Sequence, residues 1–386
     1  MFPLELLMGP HQEKLHLGIA GACGRGLNFR NACRSLPQVR VHAICDIDIK
    51  SLPKTAEILG ASDIFVDYQE MLEKSDLDAV ILTTPMPLHA SQAIAALNKG
   101  IHVFSEVPAA VSIKECKDIV MAAQRSDALY MMGENYTYIR ENILIKELVS
   151  KGYFGTLYYA EGEYLHELKG YDENRLAVRN LPPEQIWRRY WQSGIDGITY
   201  GTHSLGPLLQ WFDDRVAYLT CLGRGHHYFD HHGKPYAQDT SVMLCKLAKG
   251  GLIKIRMDLT SDRPHATTNY QLQGTQGCYE SARGGHENHK IWLQSEGEDN
   301  KTWINLHELE KEFSPNWIDT NAAQNSGHGG SDYYELVEFI EAIEGNCSPS
   351  IGIHEAMDMT LPGLISQQSI AANGNPLPVP DSRSWE

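Results

Sequence analysis

Short apolar runs alternate with helical patterns through the first third of the chain. Leu15 to Ala20 reads as a buried strand, followed by a glycine-rich turn and a helix over residues 28–35. The pattern then predicts strands at 39–45, 64–66, 79–83, 102–105 and 129–132. Helices are expected between them at 52–59, 68–73, 89–99 and 111–124. Strands separated by helices at this spacing imply crossover connections and a parallel sheet.

The texture changes after Gly133. A helix is predicted over 139–151, and then longer β-rich runs appear at 156–165, 217–222, 241–247, 252–259 and 268–273. These runs, joined by glycine-containing turns, point to a large open, mostly antiparallel sheet with helices on one face. Helical periodicity returns at 333–344 and 354–371. The expected fold is therefore α/β: an N-terminal Rossmann-type domain over 1–133 and an α+β domain over 134–386. The 354–371 helix is expected to pack back on the first domain.

Composition narrows the function. The 386 residues carry a formal net charge of -16, which argues against nucleic acid or an anionic membrane as partner. No apolar stretch approaches the roughly 20 residues of a membrane span. The opening MFPLELLMGPHQEKLH lacks a basic leader pattern and reads as a short arm. Eight cysteines lie scattered with no CxxC pair, which suits reduced thiols in a cytoplasm.

The first strand runs into Gly21-Ala22-Cys23-Gly24-Arg25-Gly26 and a helix. Backbone amides at such a turn, with the helix N-terminus behind them, suit a pyrophosphate. Asp46 ends the next strand about where a ribose-binding carboxylate should fall, which favours NAD over NADP. Cys23 stands where the motif ordinarily has its second glycine, and a slightly displaced pyrophosphate is expected.

Gly21 to Gly26, Thr84-Pro85 with His89, and Gly100-Ile101-His102-Val103 followed by Glu106-Val107-Pro108 together resemble the Gfo/Idh/MocA oxidoreductase family. That resemblance covers almost the whole chain. It implies NAD as cofactor, a sugar in the cleft over the nicotinamide, a homo-oligomer, and cofactor contacts from Gly21, Gly24, Arg25, Gly26, Asp46, Thr84, His89 and Glu106. Two departures stand out: Val107 replaces the family's usual catalytic lysine, and Thr199 stands where an aspartate usually precedes the histidine.

Glu106-Val107-Pro108-Ala109-Ala110, Tyr200-Gly201-Thr202-His203 and His328-Gly329-Gly330 before Asp332 are more similar to the NAD-dependent α-N-acetylgalactosaminidase branch. By that resemblance His203 and Tyr200 are catalytic. Glu134, Arg188, His265 and His328 are expected to line the sugar site, with His265 replacing a tyrosine. The implied chemistry is oxidation at C3, elimination across C1 and C2, water addition and reduction, a redox-neutral glycosidase. The alternative is an NAD-dependent sugar or glycoside dehydrogenase that releases a keto product. A non-catalytic NAD-dependent sensor is a third class, disfavoured by the presence of Tyr200 and His203. A histidine suits the base that the first scheme needs.

The His226-His227, His231-His232 and His286-Glu287-Asn288-His289 runs read as solvated loops, and no metal is assigned. Arg188-Arg189 with Trp187 and Trp191 offers either an anion clamp or an ordinary ion pair.

Overall fold

The computed structural model describes residues 14–169, 187–230, 232–263, 267–284, 286–294, 302–315 and 321–385. Six parallel strands form the first sheet: β1 (Leu15–Ala20), β2 (Val39–Cys45), β3 (Asp63–Phe65), β4 (Ala79–Leu82), β5 (His102–Glu106) and β6 (Tyr130–Gly133). Their order is β3-β2-β1-β4-β5-β6. The direction of winding reverses between β1 and β4, and the crevice beyond their C-terminal ends is where ligands bind in such sheets. The strands are continuous apolar runs because helices cover both faces; all four residues of β4 are buried.

The second sheet has nine strands: β7 (Leu157–Leu165), β8 (Val216–Arg224), β9 (Thr240–Leu247), β10 (Leu252–Asp258), β11 (Thr268–Gly274), β12 (Gly277–Glu280), β13 (Lys290–Leu293), β14 (Ile304–Asn305) and β15 (Leu377–Pro378). Their order is β14-β13-β12-β11-β7-β10-β9-β8-β15, antiparallel except for the β7/β10 pair. Alternation along β9 buries every second residue, so one face of the sheet is packed and the other open.

Two differences from the sequence reading bear on the site. The helix after the glycine turn begins as a 3₁₀ segment at Arg25–Phe29 and becomes α-helical only over Arg30–Ser35. A helix at Thr202–Phe212, concealed in the sequence by Gly206-Pro207, packs against the second sheet. Pro207 has no N–H to give the carbonyl four residues back, that of His203. The buried Tyr270 hydroxyl of β11 donates to that carbonyl instead. Close approach completes the fit: a Cβ on Gly162 of β7 would lie 2.4 Å from the Ser204 carbonyl oxygen.

The long helix Ile353–Ala371 reaches from the second sheet to the first. Its Thr360 hydroxyl accepts from the Ala109 amide, and the Ile351 carbonyl just ahead of it accepts from Met132.

Candidate active site

The glycine turn closes at the junction of β1, β2 and β4. Gly21 has φ +80°, and a Cβ there would lie 2.6 Å from the Thr83 carbonyl oxygen, so only glycine fits. Thr83 ties the turn to β4 by donating to the carbonyls of Ala20 and Gly21. The Gly24 and Gly26 amides both return to the Gly21 carbonyl at 3.3 Å. Asp46, just past β2, accepts from the Cys23 amide at 2.8 Å and from the Asp48 amide at 2.9 Å, which holds its carboxylate against the turn.

Cys23 does not obstruct that turn. Its sulfur accepts from the Thr55 hydroxyl at 3.4 Å and lies 4.0 Å from the Asp48 carbonyl oxygen. Burial raises the thiol to about 11, so it stays neutral. Above Gly24 a Cβ would meet nothing nearer than 3.9 Å. A tight turn, an open approach and a carboxylate beside it fit the phosphates and ribose of NAD.

Arg25 and His89 have other engagements. The Arg25 Nε donates to Glu106 at 2.6 Å, its two terminal nitrogens grip Asp332 at 2.6 and 2.8 Å, and Glu335 lies 3.7 Å away. A guanidinium so occupied fastens the cofactor turn to the Ser331–Ile343 helix, and it also lines the cavity between the two sheets' ends. Burial opposes ionisation of Asp332. The hydrogen bonds and charges of Arg25 and His328 outweigh it and hold the carboxyl well below the usual range. Burial, with the charges of Asp332 and Glu106 added, pushes the Glu335 carboxyl well above the usual range. His89 is buried with its ring nitrogens 2.9 Å from the Pro108 carbonyl and 2.8 Å from the Thr84 carbonyl. It fixes the backbone beneath the cavity, and burial lowers its pKa.

A cavity of about 330 Å³ lies between the two sheets' ends. From the first domain it is lined by Thr83, Thr84, Glu106 and Val107, and from the second by Arg188, Tyr200, His203 and His328. Arg25, Thr84, His89 and Glu106 of the expected cofactor set and Arg188, Tyr200, His203 and His328 of the expected sugar-site set thus face one space. His203, in the first turn of the Thr202–Phe212 helix, places Nδ1 2.7 Å from the Glu134 carboxylate.

Glu134 lies at the end of β6 with no exposed surface and also accepts from the Tyr136 amide at 3.2 Å. Gly206 makes room for it, since a Cβ there would be 2.8 Å from the Glu134 Cγ. Glu134 is therefore not among the residues lining the cavity. The sequence reading had it bind sugar, whereas it stands behind His203.

Aromatic rings frame the histidine. Tyr136 stacks on it at 4.1 Å, while Tyr164 and Tyr200 stand 5.3 and 5.2 Å away. Burial, with the charges of Glu106 and Glu134 added, raises Tyr200 to about 12 despite the opposing charge of Arg188. It is a neutral phenol, a donor. Arg188 lies over the Trp187 ring at 4.5 Å and donates to Gln192, whereas Arg189 pairs with Asp230. Of the two arginines only Arg188 reaches the cavity. His328, at φ +51°, gives one face to the cavity and bonds Asp332 through Nδ1 at 2.9 Å.

His265 lies outside the described residues. Sequence reasoning missed Tyr136 and Tyr164, which carry no motif of their own. The only available signal was their position, two residues after Glu134 and inside the predicted β7 run.

Residues 15–134 match the oxidoreductase family with an NAD-binding Rossmann fold, Gfo/Idh/MocA, and residues 138–385 match the glycosyl hydrolase 109 C-terminal domain. An alpha-N-acetylgalactosaminidase of Shewanella oneidensis is 30% identical over 98% of this chain and 88% of its own length. A glycosyl hydrolase family 109 protein of Shewanella pealeana is 29% identical over 97% and 87%. Among solved structures, an oxidoreductase domain protein from Kribbella flavida superimposes with TM-score 0.79 at 20% identity, covering 96% of this chain and all of the other. Levoglucosan dehydrogenase with NADH and L-sorbose gives 0.78 at 18% identity over the same shares. At those identities the structural likeness speaks for the fold alone. Motif, geometry and sequence matches agree that the chain belongs to glycosyl hydrolase family 109, NAD-dependent glycoside hydrolases built on the Gfo/Idh/MocA fold.

Proposed function

We propose that this protein cleaves a small-molecule glycoside in a redox-neutral cycle with His203 as the base. The observation that carries the reading is the Glu134–His203 pair, directed at a cavity whose opposite wall is formed by the ends of β4 and β5. Gly21 to Gly26 and Asp46 would hold NAD, which when bound would supply a reversible hydride acceptor for C3 of the sugar. Glu134 accepts the Nδ1 proton of His203, which leaves Nε2 basic. Nε2 takes the C2 proton, acidified by the neighbouring carbonyl, as the C1–O bond breaks and the aglycone departs; after water adds at C1 of the resulting enone, Nε2 returns the proton to C2. Tyr200, kept neutral by burial, donates to the C3 oxygen as negative charge develops there. Arg188 and His328 hold sugar hydroxyls from the cavity's second-domain wall. Val107 is buried where a lysine would serve an ordinary dehydrogenase, so that wall offers no ammonium.

The Shewanella oneidensis relative's name makes α-N-acetylgalactosaminides the first substrates to try. Enzyme purified without added cofactor should release chromophore from a chromogenic glycoside with no net rise in NADH absorbance. His203→Ala should abolish release while NAD affinity holds. NADH accumulating with the glycosidic bond intact would assign the protein to sugar dehydrogenases instead.

All eight cysteines are free thiols, five of them buried, which supports a reducing cytoplasm as the place of action. No helix among the described residues is long and apolar enough to cross a membrane. The open face of the second sheet supports a homo-oligomer. Tyr218, Leu222, Val242, Leu244 and Leu252 stand exposed in adjoining register there, beside the Lys254–Glu161 ion pair.

A further inference from the structure

Away from the sugar cavity, three ligand-type side chains from separate parts of the chain meet. Glu141 belongs to the first turn of the Arg140–Ser150 helix, His289 immediately precedes β13, and His307 lies in the 3₁₀ turn after β14. One ligand atom from each lies within 4.8 Å of the others. We propose that Glu141, His289 and His307 form a binding site for a divalent transition metal of the zinc class.

The case rests on how the two imidazoles are held. His307 Nδ1 is 2.6 Å from Glu310, whose other oxygen accepts from Arg140 at 2.9 Å. A carboxylate at Nδ1 fixes the proton there and leaves the Nε2 lone pair free. That Nε2 is 3.8 Å from the Glu141 carboxylate. His289 Nδ1 is likewise engaged, 2.8 Å from the Tyr279 hydroxyl, and its ring stands nearly perpendicular to that of His307 at 5.7 Å.

Two nitrogens and one carboxylate oxygen suit zinc, with the fourth position left to water. Metal-ligand bonds of about 2.0–2.1 Å set tetrahedral ligand atoms roughly 3.3 Å apart. Side-chain movements of about 1 Å would close the set. Bound metal would clamp the helix that follows Tyr136 to the β13–β14 edge of the sheet.

Tag-free, full-length protein stripped with a chelator should bind one equivalent of Co²⁺ with the visible absorption of a tetrahedral ion, and Zn²⁺ should displace it. His289→Ala and His307→Ala should each abolish that spectrum while glycosidase turnover and circular dichroism confirm folding. Glu310→Gln, which keeps all three ligands, should weaken binding by about 10–100-fold. Absence of stoichiometric binding, or a spectrum indifferent to both histidine substitutions, would overturn the proposal.

Discussion

The cofactor turn and the sugar cavity adjoin one another, yet they are built in opposite ways. At the turn the backbone does the work. Gly21 is required for its conformation, amides and carbonyls close the loop, and the Asp46 carboxylate is held against it by the Cys23 amide. Arg25 and Cys23, the conspicuous side chains of the motif, face other partners. In the cavity side chains do the work, and they arrive from distant parts of the sequence. His203 takes its orientation from Glu134, 69 residues away, and its ring packing from Tyr136 and Tyr164. A backbone device tolerates little change at a few glycines, whereas a side-chain device can lose its chemistry with its shape intact.

The sharpest way to separate the two is Glu134→Gln. The amide oxygen can still accept from the Tyr136 N–H, so the fold should survive. That same oxygen faces His203 Nδ1, so the tautomer should hold too, but the negative charge that stabilises the protonated imidazole is lost. Turnover should fall by roughly 10²–10⁴-fold with little change in KM or NAD affinity. An unchanged kcat would show that Glu134 is only a structural acid.

Gly21→Ala probes the other side. The added methyl meets the Thr83 carbonyl at a positive φ, a strain of about 1–3 kcal/mol. NAD binding measured by calorimetry should weaken by about tenfold or more, and activity should recover in part at saturating NAD. Equal losses in kcat that NAD cannot restore would blur the division between the two regions.

Asp332→Asn tests the seam between them. The Arg25–Asp332 pair is charge-assisted and bidentate, and its loss should cost about 2 kcal/mol in denaturant melts. Because the folded-state pKa of Asp332 is depressed, its contribution is present above the ordinary value of 3.8 and is lost as pH falls below it. Wild type and variant should therefore differ most at neutral pH and converge in acid. A gap that widens in acid would contradict the assigned sign.

How legible each region was follows from the same contrast. The parallel strands, the turn and Asp46 were readable because backbone demands leave local marks: apolar runs, glycines, and an acid at a fixed distance. The Thr202–Phe212 helix was not, since Gly206-Pro207 argues against a helix and the Tyr270 hydroxyl that replaces the missing hydrogen bond lies on another strand. Glu134 and His203 were both singled out by resemblance, but their pairing was invisible because no pattern links the end of β6 to that helix. Similarly, His289 read as part of a solvated loop, since Glu141 and His307 come beside it only in the folded chain.

The central claim, that C–O cleavage proceeds through loss and return of the C2 proton, is tested most directly with a glycoside deuterated at C2. Turnover in ordinary water should be slowed by the label or should release it, giving product partly or wholly protonated at C2. Full retention of deuterium with an unchanged rate would contradict the account and leave direct hydrolysis in its place.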